Sequence, residues 1–313
     1  MKPALVIALL LILSGCRHKE LWMGGEQFAL LEVSFDWSGA YTLARSGEAL
    51  SMSLYLYPDA GGKPLYYELP GHEGGAVRVP LGRYTAVAWN HENTAILLRG
   101  QDSPETLEAF TREEPLLASL GLSTRAPRPE ALEGERSVLE PGPFWAGHLE
   151  GMVVSLDTPP RVTIPVVDAY QRLSVQVHNV DNIKYVSEVS FAISSVSASF
   201  FPATGSLGAE DVVIPFGGRV LDHQVLEGGC TLFGHCPEEV HTHWLTIYAI
   251  MVDGSKYYTH VDVTGQMHDP PEQPREIDLE LEGVAFPDPA EEGSPAFAQV
   301  DDWLTVKIDL IMH

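Results

Sequence analysis

Apolar and polar residues alternate along most of this chain, with the two-residue period of half-buried β-strands. Ala29, Leu31, Val33, Phe35 and Trp37 share one parity and are separated by mostly polar neighbours. Leu50, Met52, Leu54 and Leu56 repeat the pattern, with Ser51, Ser53, Tyr55 and Tyr57 on the opposite face. Pro58-Asp59-Ala60-Gly61-Gly62 then supplies a turn. Further runs follow at even spacing: Leu65, Tyr67 and Leu69; Val77 and Val79; Tyr84, Ala86 and Ala88; and Ala95 to Arg99. Short strands divided by Gly, Pro and Asn turns, with almost no helical period, predict an antiparallel sandwich.

Residues 100–143 lose this pattern to Pro104, Pro115, Pro127, Pro129, Pro141 and Pro143. Ser103 followed by Pro104 has the form of an N-cap and first helical residue, and predicts one short helix over Ser103–Phe110. The rest reads as an irregular crossover that returns strands such as Phe144–Ala146 and Met152–Leu156 to the first sheet. After Pro159-Pro160 the alternation resumes at Val162, Ile164 and Val166, then at Leu173, Val175 and Val177, and Val186–Ser197 reads as another strand. Trp244–Val252 is apolar on both faces, as a central strand is. Asp253-Gly254 turns it into Tyr257–Val263. Ile277, Leu279 and Leu281 follow, then an acidic, Pro-rich loop (Gly283–Gln299) and a last strand, Trp303–Ile311. The expectation is an all-β chain of two tandem antiparallel β-sandwiches, over residues 27–158 and 159–313.

Ahead of the strands lies a different signal. Lys2 precedes the apolar run Ala4–Leu13, which ends in Leu13-Ser14-Gly15-Cys16. The run is too short to cross a bilayer, which takes about 20 apolar residues. It has the anatomy of a secretory signal peptide and resembles the bacterial lipoprotein signal, in which the cysteine after the cut is acylated. Residues 1–15 are therefore expected to be removed, Cys16 to carry lipid such as palmitate, and residues 16–26 to act as a tether. Acyl chains contribute about 0.8 kcal/mol per buried CH2, so such a cysteine holds the membrane without help from the fold.

The charge narrows the partners. The 313 residues carry a net charge of −24, and loss of residues 1–15, which hold one lysine and no acid, takes it to −25. An acidic surface of this size disfavours nucleic acid and anionic lipid headgroups, which both need cationic patches. With Cys16 assigned to lipid, Cys230 and Cys236 remain, five residues apart in a chain that meets an oxidising compartment. They are expected to form a disulfide that shapes their loop.

The candidate chemistry is sparse. His241 and His243 stand two apart, about 7 Å along a strand, and are the best pair of metal ligands; His235, Cys236 and Cys230 lie just upstream, with His223 and His260 further off. Zinc needs four converging ligands and the cysteine spacing does not supply them, so no metal and no cofactor is expected. The acid pairs Glu113-Glu114, Glu238-Glu239, Glu291-Glu292 and Asp301-Asp302 are adjacent in loops, whereas acid–base catalysis needs carboxylates across a cleft. Neither a Gly-x-Ser-x-Gly elbow nor a phosphate loop occurs, and no enzyme is expected. Trp22, Trp37, Trp89, Trp145, Trp244 and Trp303 are scattered one per region and read as core anchors. Arg125 and Arg128 sit in a proline-rich loop open to proteolysis.

Several blocks together resemble a known family. They are Leu13-Ser14-Gly15-Cys16 followed by Arg17-His18-Lys19-Glu20-Leu21, the strand end Val33-Ser34-Phe35-Asp36-Trp37, Met52-Ser53-Leu54-Tyr55-Leu56-Tyr57-Pro58, and Val79-Pro80-Leu81-Gly82-Arg83-Tyr84 leading to Trp89-Asn90. They are similar to Bacteroidetes-type lipoproteins related to the fimbrillin-like proteins and the anchor subunits of their fimbriae. That resemblance implies two transthyretin-like or Ig-like sandwiches, a lipid-anchored place in the outer membrane, and association with fimbrial subunits by strand addition. The alternative is a surface lipoprotein that binds glycan or another ligand. An unpaired sheet edge favours the first, and a coplanar pair of exposed Trp or Tyr rings the second.

Overall fold

The structure is a computed structural model that describes residues 27–41, 51–123, 126–156, 160–221, 224–235, 241–269, 275–288, 303–306 and 308–311. The first strands are β1 (Phe28–Gly39), β2 (Met52–Pro58), β3 (Leu65–Leu69), β4 (Gly74–Pro80) and β5 (Gly82–Asn90). Then come β6 (Ile96–Arg99), β7 (Glu108–Thr111), β8 (Arg136–Ser137), β9 (Trp145–Val154) and β10 (Arg161–Asp168). The remainder comprises β11 (Gln171–His178), β12 (Val186–Ser197), β13 (Ser199–Phe201), β14 (Ser206–Leu207), β15 (Asp211–Leu221), β16 (Val225–Leu232), β17 (Trp244–Met251) and β18 (Lys256–Asp262). A five-residue helix, α1 (Thr264–His268), precedes β19 (Glu276–Val284), β20 (Trp303–Thr305) and β21 (Ile308–Ile311).

The all-β expectation holds. A seven-stranded sheet runs β3-β2-β5-β9-β10-β1-β4, and its alternating apolar positions Leu31, Val33, Leu54, Leu56, Ala86 and Ile164 fill one core. A second, larger sheet runs β20-β18-β17-β12-β15-β16-β11-β19-β21, with β8 added beside β15, around a separate core. A four-stranded sheet, β14-β13-β7-β6, joins the first core through Leu107, Ala109 and Phe200.

Three expectations need correction. The strand through Val162, Ile164 and Val166, expected in the second sandwich, is β10, and it pairs in parallel with β1 and antiparallel with β9 in the first sheet. Ser103–Phe110 is not a helix. Leu107 N donates to Ser103 O in one α-type turn, and the chain then extends into β7, which β6 and β13 both pair and which Arg99 ties down through Glu108. The last strand is two: β20 pairs with β18 and β21 with β19, so the chain end reaches both halves of the large sheet.

The large sheet turns a corner in β15. Up to Gly217 this strand pairs with β12, and from Gly218 onward with β16. Phe191 is fully buried beneath the corner and stacks on Phe216, with centroids 5.5 Å apart. Gly218 and Gly228 face that ring. A Cβ would lie 2.5 Å from Phe191 Cε2 at Gly218 and 2.7 Å from Phe191 Cδ2 at Gly228. The corner therefore closes only where side chains are missing.

Trp145 and Trp89 are buried as expected, while Trp37, Trp244 and Trp303 are half-buried and Trp22 lies outside the described residues. Arg128 is no free loop residue. Its Nη1 donates to Leu132 O and Glu135 O, and Tyr248 Oη on β17 donates to the neighbouring Pro127 O, so the crossover is fastened to the large sheet. Arg125 lies outside the described residues.

Candidate functional site

Two features stand out: an open sheet seam and a cluster of imidazoles. The seam belongs to the seven-stranded sheet, whose end strands β3 and β4 each pair on one side only among the described residues. These two ends are neighbours in sequence, joined by residues 70–73, so the curled sheet brings its edges toward each other. Tyr67 Oη on β3 donates to Arg78 O on β4 over 2.8 Å, and Trp37 Nε1 donates to His72 O in the connecting turn. Among the described residues this side-chain bond thus bridges two backbone edges that each pair on one side only, the geometry that accepts an added strand.

Next to β3 is an aromatic group. Tyr55 contacts Tyr57, Tyr66 and Trp89 with centroids 5.7, 5.2 and 5.2 Å apart. Tyr66 is exposed and Trp89 is buried. The rings are inclined at 65°, 59° and 57°, so they form no flat platform for a sugar. Burial, reinforced by the charges of Asp102 and Glu105, raises the Tyr57 phenol well above its usual range.

The imidazole cluster arises at a bulge. Pairing of β12 with β15 slips between Ile193 and Val196, and Ser195 takes a left-handed φ of 58°. Glu135 holds this bulge by accepting from Ser195 N and Oγ, and burial raises its carboxyl above the usual range. The bulge presents Ser194 Oγ to Trp244 N and Ser194 O to His243 Nδ1, 3.2 Å away. A carbonyl only accepts, so the His243 proton is assigned to Nδ1 and its Nε2 keeps a lone pair. That Nε2 lies 3.1 Å from Nε2 of His268. His268 ends α1, which is fixed by buried Met267 and by paired bonds between Gln266 and Glu280. His235 follows β16 and completes the group, and its Nδ1 is buried with no hydrogen-bond partner among the described residues. Burial, with help from the neighbouring imidazoles, pushes His235 down to about 4, and burial also lowers His243. Burial thus favours the neutral form of both rings.

The pair singled out by sequence is divided. His241 Nδ1 lies against Asp211 Oδ2 at 2.5 Å, while His243 joins His235 and His268. Among the described residues no group of three or more His, Cys, Asp or Glu side chains stands arranged around a metal position. Among the described residues Cys230 has no disulfide partner, and burial in the second core raises its thiol well above the usual range; its expected partner Cys236, like Cys16, lies outside the described residues. Of the acid pairs, Glu113 faces Arg136 and Glu114 faces Arg112, and the other three pairs lie outside the described residues.

A family model for a domain of unknown function, DUF5119, matches residues 15–217. The chain belongs to this family. A Bacteroides ovatus protein assigned as fimbrium anchoring subunit Fim4B is 28% identical over 106 residues, which is 34% of this chain and 30% of that protein. The match thus spans less than a third of that relative. A crystal structure of a Bacteroides ovatus protein assigned as an adhesin superposes with a TM-score of 0.59 at 19% identity, over 86% of this chain and 95% of the other. Another, from Bacteroides thetaiotaomicron and assigned to polysaccharide binding proteins (DUF1812), gives 0.51 at 12% identity over 82% and 91%. At these identities the likeness is one of fold.

Proposed function

We propose that this family member is a lipid-anchored subunit of the outer membrane that anchors a fimbria-like assembly. The observation that carries the reading is the open seam between β3 and β4, a pair of neighbouring sheet edges free to take a partner's strand. The Fim4B match supports the same role, and a structural role needs no catalytic constellation. The aromatic group beside β3 lacks the coplanar pair that glycan stacking calls for.

The seam is tested by photo-crosslinking in a fimbriated host. A photoreactive residue at Tyr66 on β3 or Ala76 on β4, both exposed, is expected to capture a fimbrial subunit. The same residue at exposed Val167, on the interior strand β10, is expected to capture none. Equal yields from all three positions, or none from the two edges, removes the seam from the assembly.

Cys16 supplies the anchor in this reading, and the family match begins beside it at residue 15. No helix among the described residues is long and apolar enough to cross a membrane. Cys16→Ala is expected to abolish palmitate labelling and to move the protein from the membrane to the soluble fraction. Retention in the membrane fraction without label refutes the lipid anchor.

A further inference from the structure

One end of the seven-stranded sheet carries exposed apolar side chains beside the point where the chain enters it. Its ladders bring together there the start of β1, the β4–β5 turn, the end of β9 and the start of β10: Phe28 pairs with Pro80, Gly82 with Val154, and Glu32 with Arg161. Leu81 N donates to Gln27 O over 2.9 Å, which ties the entry of β1 to the β4–β5 turn. Leu30 is 62% exposed, Val153 56% and Leu156 61%, and Phe28 is exposed as well. The cations at this end are Arg78, whose guanidinium stands 4.4 Å over the Phe28 ring, Arg83 beside Asp59, Arg161 beside Glu32, and exposed Lys63 in the β2–β3 turn. We propose that this end of the sheet rests on the lipid surface itself, as a second contact with the membrane besides the acyl chains on Cys16.

The inference rests on the acylation of Cys16, and the length of chain after that residue is what names the occupant. Gln27 is eleven residues beyond Cys16, and eleven residues span at most about 40 Å even when fully extended. Phe28 follows at once, so this rim holds the first folded residues that the tether can bring to the bilayer. Apolar side chains gain by leaving water for the boundary of the acyl layer, and several of them gathered at one rim mark a surface of that kind. The arginines suit the layer above: their stems lie along apolar surface while the guanidinium heads reach phosphate. Among the described residues these four cations meet only Asp59 and Glu32 here, in a chain whose net charge is −24. Zwitterionic headgroups offer them phosphate without demanding a wholly cationic patch. Phe28 and Leu30 lie on one side of the start of β10, Val153 and Leu156 on the other, so the contact is end-on. It leaves the β3–β4 seam open along the strands.

The test uses the full chain, purified with its lipid and reconstituted in phosphatidylcholine vesicles whose acyl chains are brominated. A fluorescent amino acid replaces Leu30, Val153 or Leu156, or, for comparison, Leu97 or Val252, which are exposed elsewhere on the molecule. Bromine quenches on contact. Relative to unbrominated vesicles, the first three positions are expected to lose fluorescence and the last two to keep it. Leu30→Asp combined with Leu156→Asp, both at exposed positions, is expected to remove the quenching at Val153 while the protein still floats with the vesicles and still carries palmitate. Full fluorescence at all five positions, on vesicles that hold the palmitate-labelled protein, overturns the docking surface and leaves the anchor standing. Quenching at Leu97 or Val252 equal to that at Leu30, or quenching at Val153 that survives both aspartates, overturns it too. A protein that takes up no palmitate and does not float refutes the anchor, and the docking surface falls with it.

Discussion

Trp145→Ala is expected to lower the unfolding free energy by about 3–5 kcal/mol, the usual cost of deleting a fully buried large aromatic. Trp145 has no exposed surface and meets Tyr170 and Trp37 edge-on, with centroids 5.7 and 6.5 Å apart. Its Nε1 donates to Asp168 Oδ1 over 2.9 Å, and its backbone N donates to Asn90 Oδ1 over 2.9 Å. This one residue, at the start of β9, therefore links the end of β10 to the end of β5. Asp168→Ala probes the polar side of the effect, because it leaves the indole N–H buried without this acceptor. Its expected cost is about 1–3 kcal/mol. Denaturant unfolding of the two variants measures both. A loss below about 1 kcal/mol for Trp145→Ala, well under the range for such deletions, removes Trp145 as the anchor of the first core.

Gly218→Ala is expected to cost about 1–3 kcal/mol, this time through added volume. The new methyl would stand 2.5 Å from Phe191 Cε2 and 2.9 Å from Val189 Cγ1. Neither neighbour can retreat easily, since Phe191 is fully buried and stacked on Phe216. Combining the change with Phe191→Leu, which opens space beneath the corner, should recover part of the loss. A double-mutant cycle reads that coupling directly. Additive losses would mean that Gly218 and Phe191 do not meet at the corner as described.

These two sites also show what sequence makes legible. Half-buried strands write a period of two, and Ala29–Phe35 and Ile277–Leu281 could be placed from it because one face of each meets a core and the other meets water. β15 wrote no such pattern. It holds Pro215 and Gly217-Gly218, residues that normally argue against a strand interior, yet they lie where it leaves β12 for β16. One backbone turn forms at Ser103, but its hydroxyl donates to Glu105 instead of capping a helix. Pairing with two strands then outweighed the helix, a long-range effect that local propensity cannot carry. β10 followed the expected break at Pro159-Pro160 but was claimed by β1, more than a hundred residues earlier.

The imidazole cluster was half visible. His241 and His243 are close in sequence, but Asp211 takes the first and only the second turns toward the bulge at Ser194. His268 sits on a short helix between β18 and β19 that alternation did not suggest, and His235 arrives from the far end of β16. No spacing rule joins three residues delivered by three separate elements. The open seam was unreadable for a related reason: strands can be counted along a sequence, whereas which of them end a sheet is decided by pairing.

The parallel pairing of β1 and β10 has a mechanical consequence. In the proposed anchored state, the membrane pulls the chain at the start of β1, near residue 27. The rest of the molecule pulls from the end of β10, where Asp168 leads toward β11. Because the two strands run the same way, these points lie at opposite ends of one ladder, which spans Glu32↔Arg161 to Gly39↔Val167. Tension is thus applied along the strands and across all of their hydrogen bonds together, so they must fail as a set rather than peel apart one by one. A load that reaches the first sheet through the second one is carried by this ladder, whereas a strand docked on β3 or β4 loads the sheet from its edge.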